Sequence, residues 1–154
     1  MTCRRLTGRW RQGVVMAVSV VWVLALTGCS SAITQARVQD AMVESFSHLL
    51  IVQQEQRGTQ LAAPDLHPTA QCERQNRNAP LAGPGDDWVC NLTWRTANAT
   101  TGAAGYSLTV RPDGCFAADG DGPADLNGSA TITAADGAVV VNPLWAFDGC
   151  FPLH

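Results

Sequence analysis

Trp88-Val89-Cys90-Asn91-Leu92-Thr93-Trp94-Arg95 is the stretch that decides the fold. Trp88, Cys90, Leu92 and Trp94 fall on one side of an extended chain. Val89, Asn91, Thr93 and Arg95 fall on the other. A period of two is the mark of a strand with one face against a core and one toward water. Tyr106, Leu108 and Val110 alternate with Ser107, Thr109 and Arg111 in the same way, after a loose loop that runs to Gly105. Two half-buried strands of this kind predict an antiparallel sheet. Pro112-Asp113-Gly114 is a tight turn, with proline at the first corner and a glycine free to take positive φ. Cys115-Phe116-Ala117-Ala118 returns beside the preceding strand. Ala130-Thr131-Ile132-Thr133 and Ala138-Val139-Val140-Val141 flank Ala135-Asp136-Gly137, a second hairpin signal.

Upstream the period changes. Val38, Met42, Phe46, Leu49 and Leu50 recur at three- and four-residue spacings from about Gln35 to Arg57, with Thr34 placed to cap the helix and Gly58 to end it. Gln39, Glu44, Gln53, Gln54 and Gln56 fill much of the remaining surface, and His48 sits beside the apolar stripe. Between Thr59 and Asp87, Pro64, Pro68, Pro80 and Pro84 predict loop, with a short strand near Thr69. Arg74 and Arg77 are the only close pair of cations after the N-terminal region. The fold expected is α+β: one long N-terminal helix packed on an antiparallel sheet of four or five short strands.

The N-terminal region sets the compartment. Arg4, Arg5, Arg9 and Arg11 precede an apolar block, Val14 to Leu26, of about 13 residues, too short to span a bilayer but suited to a signal peptide. Leu26-Thr27-Gly28-Cys29 closes it. This stretch resembles the lipobox of bacterial lipoproteins: an aliphatic residue, two small residues and a cysteine. The resemblance implies a diacylglyceryl thioether on Cys29, cleavage before it, and a protein held by its lipid at the outer face of the cytoplasmic membrane. Residues 1–28 are then signal peptide, 29–33 the lipidated cysteine and a short tether, and 34–154 a single domain. The absence of lysine and the wealth of alanine, glycine and arginine suggest a high-GC genome, and with the lipobox the chain as a whole is similar to small lipoproteins of high-GC Gram-positive bacteria. From Cys29 on, six arginines face thirteen acids, a balance of −7 that gives no cationic footprint for nucleic acid.

Export gives meaning to the remaining cysteines. Cys72, Cys90, Cys115 and Cys150 are an even set in an oxidising compartment and read as two disulfides, with three possible connectivities. Asp113-Gly114-Cys115-Phe116 recurs as Asp148-Gly149-Cys150-Phe151, each read as a turn before a cysteine. This echo and the pairing of neighbours favour Cys72–Cys90 with Cys115–Cys150. No Cys-x-x-Cys spacing suggests zinc. Asp119, Asp121, Asp125 and Asn127 crowd one loop, but Pro123, Ala124 and Ala130 occupy positions where a calcium loop needs an oxygen ligand, a glycine and a glutamate.

No nucleophile elbow, catalytic pairing or cofactor loop is present, so no catalytic residue, metal or cofactor is assigned. The sequence therefore points to a non-catalytic binding or interaction module of the cell envelope, with an envelope protein or a small molecule as its partner. A small secreted hydrolase or a purely structural component are the alternatives. In Asn142-Pro143-Leu144-Trp145-Ala146-Phe147, Pro143 should end the sheet. Trp145 and Phe147 are expected to fold over the open edge of the core; whichever stays exposed is the candidate partner contact. The anchor has a direct test. Cys29→Ser should abolish metabolic labelling with a fatty-acid probe, and undiminished label would contradict the lipobox reading.

Overall fold

The computed structural model describes residues 32–95 and 100–153. The proposed signal peptide and Cys29 lie outside the described residues. Helix α1 (Gln35–Gln56) opens at Thr34, whose hydroxyl accepts from the Arg37 N–H at 3.3 Å. Arg57 caps its end and Gly58 follows at positive φ. Val38, Met42, Phe46 and Leu50 are all buried. Their four-residue spacing keeps them on one slowly winding stripe of the helix. A short helix, α2 (Ala63–Leu66), buries Leu66.

The strands are β1 (Thr69–Arg74), β2 (Gly85–Arg95), β3 (Thr101–Val110), β4 (Cys115–Gly120), β5 (Thr131–Thr133), β6 (Val139–Val141) and β7 (Ala146–Cys150). The main sheet is antiparallel in the order β1-β2-β3-β4-β7, while β5 and β6 form a separate hairpin. Trp88, Cys90, Leu92 and Trp94 face α1 together with Ala104, Tyr106, Leu108, Val110, Phe116 and Ala118. The opposite face carries Asn91, Thr93, Arg95 and Thr109 into water. This is the α+β architecture expected, with five strands in the sheet.

Three local readings are corrected. β3 begins at Thr101, within what read as a loop running to Gly105. Its first residues lack alternation because Gly102, opposite Trp94, has no side chain; the indole lies where a Cβ would stand. Pro143 ends the hairpin but not the sheet. After a turn in which Trp145 N–H donates to Asn142 O at 3.2 Å, the chain rejoins β4 as β7. Asp148-Gly149-Cys150 is therefore strand, not turn, and only the Asp113 copy of the echo is a corner, with Gly114 at φ 81°. Gly149 is needed for contact instead, since the Phe116 ring fills the space of its missing side chain.

The disulfides are Cys72–Cys90 and Cys115–Cys150, the pairing expected. Each joins residues directly opposite in register, the first linking β1 to β2 and the second linking β4 to β7. Both edge strands are thus stapled to their inner neighbours. Cys72 and Cys90 are buried beneath the helix, whereas Cys150 is exposed and Cys115 half-buried on the water-facing side.

Polar groups join the hairpin to the helix. Gln53, assigned by its type to the polar surface of α1, is buried, as are Asn127 and Asn142. Gln53 Nε2 donates to Asn142 Oδ1 and Leu126 O, both at 2.7 Å. Asn142 Nδ2 donates to Leu126 O and Ser129 O at 2.8 Å, and Leu144 N–H donates to Asn142 Oδ1 at 3.0 Å. Asn142 therefore uses all four of its hydrogen-bonding positions.

Two measurements follow from this packing. Under native conditions a phosphine reductant should open Cys115–Cys150 well before Cys72–Cys90, read by alkylation and peptide mapping; simultaneous loss would contradict the burial contrast. Asn142→Leu strands donors and acceptors of Gln53, Leu126, Ser129 and Leu144, and should cost about 3 kcal/mol in urea unfolding. A change below about 1 kcal/mol would show the network to be dispensable.

Candidate functional site

The residues singled out for chemistry mostly serve the scaffold. Arg74 pairs with Asp87 at 2.6 Å, lies 4.9 Å from the Trp88 ring centroid, and donates to Gly83 O and Pro84 O. Its Nε is buried without a hydrogen-bond partner, and the exposed Arg77 lines one cleft with it. In the acidic loop, Asp121 accepts from Ser107 Oγ at 2.8 Å, and Asn127 turns inward to donate to Gly105 O at 2.8 Å. Among the described residues no group of three or more His, Cys, Asp or Glu side chains converges closely enough for a metal ion. His48 and His67 are exposed on separate elements.

Burial pushes the Tyr106 phenol far above its ordinary range, with the nearby Asn127 amide opposing this. The hydroxyl donates to Leu144 O at 3.1 Å, so Tyr106 holds the chain entering β7 as a neutral donor. Asp113 lies below the usual carboxylate range because the Cys115 N–H donates to it and Arg111 stands beside it. This carboxylate fixes the turn that brings Cys115 into β4.

The surface is more informative than the interior. A cleft of about 280 Å³ runs between the first turns of α1 and the C-terminal end, lined by Arg37, Asp40, Glu44 and Phe151. A second, of about 250 Å³, lies beside the loop of Asn76, Arg77 and Leu81. Trp145 and Phe147 part company. Phe147 is half-buried, edge-on to Tyr106 at 5.3 Å and to Phe116 at 6.4 Å. Trp145 is 44% exposed, so the expectation that both rings cover the core holds for Phe147 alone.

Val139 and Val141, which sequence reading placed simply in a hairpin, are 72% and 73% exposed. The bonds Ala134 N–H to Ala138 O and Asn142 N–H to Ala130 O fix which residues face β5 with their backbones. By that alternation, the N–H and C=O groups of Val139 and Val141 point away from β5. Strand β6 has no second neighbour among the described residues. The signal was legible: from Ser129 to Phe147 the sole charged residue is Asp136, and three valines in a row exceed what a three-residue strand can bury. The two disulfides fit a domain that works outside the reducing cytoplasm. Comparison with protein-family models, with curated proteins and with solved structures finds no match to this chain.

Proposed function

We propose that the protein is an interaction module of the cell envelope, held by a lipid on Cys29 at the outer face of the cytoplasmic membrane, and that it engages a protein partner through the β5–β6 hairpin and Trp145. The observation carrying this reading is the open β6 edge with Val139 and Val141 outermost. Unpaired strand groups flanked by exposed β-branched side chains suit an extended segment of another protein, which adds main-chain hydrogen bonds and buries the valines. Trp145 supplies an aromatic anchor of the kind that dominates protein interfaces.

The geometry of the helix supports this division of labour. The hairpin meets the C-terminal end of α1, where Ala135 N–H donates to Gln56 O at 2.8 Å. The proposed anchor joins the N-terminal end. The helix has 22 residues, so these ends are roughly 33 Å apart at about 1.5 Å per residue. The partner-binding hairpin then stands at the far end of the helix from the lipid.

Val139→Thr with Val141→Thr keeps β-branched residues on the strand and should change unfolding stability by no more than about 0.5 kcal/mol. Capture of partners from native membranes by the lipidated wild type, compared with this variant, reads the surface. Bands present with the wild type and lost with the variant support the proposal; identical capture overturns the hairpin as the binding surface.

A further inference from the structure

The N-terminal end of α1 is tied to one particular loop. Gly83 N–H donates to Ile33 O at 2.9 Å, Gln35 N–H donates to Leu81 O at 3.1 Å, and Thr34 forms a β-bridge with Ala82. Ile33, counted with the tether in the sequence reading, is buried. Between Cys29 and Ile33 the chain can reach at most roughly 14 Å, four residues at about 3.4 Å each. Any lipid on Cys29 therefore keeps Ile33 within that distance of the headgroups, and with it the Leu81–Gly83 end of the loop bonded beside it.

The loop's composition suits that neighbourhood. Leu81 is 48% exposed beside the bridge, one of the few large apolar side chains left open to water. Arg77 is exposed and, unlike Arg74, holds no ion pair among the described residues. From Arg74 to Gly85 the chain contains no acid, although thirteen acids are spread over the rest of it after Cys29. Glu73 and Asp86 lie just outside these limits, and Asp87 is occupied by Arg74.

We infer that the loop from Asn76 to Leu81 is the surface that rests on the bilayer, with Leu81 entering the interface and Arg77 meeting lipid phosphates. This rests on the lipid anchor proposed above. A single leucine and a single arginine are too little for a free protein to bind membranes. On a short tether the loop's effective concentration at the surface is high, and a weak contact is enough to fix orientation.

Hydrogen–deuterium exchange of the lipidated protein in nanodiscs of phosphatidylcholine and phosphatidylglycerol, against the soluble unlipidated chain from Ser30 to His154, tests this. Exchange across residues 76–82 should slow severalfold on the nanodisc, while residues 131–141 stay unchanged. Arg77→Gln with Leu81→Ser, both at exposed positions, should remove that protection without moving Tm. Equal exchange of the loop in the two states, or protection of the hairpin in its place, overturns the inference. Protection already present in the concentrated soluble domain assigns the loop to self-association and overturns it as well. Intact mass of the same sample separates the two ideas: an unlipidated chain removes the anchor and the inference together, whereas a lipidated chain with an unprotected loop removes only the inference.

Discussion

Everything in this domain depends on how one helix covers one face of a five-stranded sheet. Val38, Met42, Phe46 and Leu50 lie against Trp94, Tyr106 and their neighbours, with Phe46 4.9 Å from Trp94 and edge-on to Tyr106 at 6.2 Å. Each such side chain contributes about 1.5–3 kcal/mol by leaving water. Among the described residues no second layer covers the outer face, and apart from Val89 the outer strand residues are polar or small. A single layer of helix also leaves the ends of the sheet weakly held. The chain answers with a covalent bond at each edge pair rather than with more apolar area, as small exported domains commonly do.

The hairpin is attached on different terms. It shares no strand pairing with the main sheet, and it joins the helix through the Gln53–Asn142 carboxamides and the backbone bond from Ala135 N–H to Gln56 O. Directional bonds fix position where apolar packing is sparse, and they lose much of their value if one partner is missing. Such an arrangement holds the hairpin in one place while leaving β6 and its valines outside the core. A surface that is both firmly placed and unshielded is what recognition of another chain requires.

Much of the architecture was legible because amphipathic periods are strong signals. The stripe on α1, the alternation from Trp88 to Arg95 and the Pro112-Asp113-Gly114 corner each specify their element by local chemistry. What escaped was non-local. The first residues of β3 are alanine, glycine and threonine, which declare no face until Trp94 lies across Gly102. Gln53 looked like surface because its partners sit 73 and 89 residues further along the chain. The echo led to the correct disulfide although one of its two turns is a strand, since register and not turn chemistry places Cys150 opposite Cys115. Trp145 was harder still: whether an indole after a proline turns in or out is settled by a few backbone angles that composition does not encode.

The disulfides also have a topological consequence. The Cys72–Cys90 bridge spans 18 residues and encloses the loop that carries Arg77 and Leu81. The Cys115–Cys150 bridge spans 35 and encloses the whole β5–β6 hairpin. Each protruding surface therefore lies within its own covalent ring. Exposed loops are where proteases cut first, yet a cut inside either ring leaves both halves joined through sulfur. A nicked molecule keeps its helix, its sheet and its edge strands in one covalent piece, so the domain can be clipped at either surface without shedding a fragment.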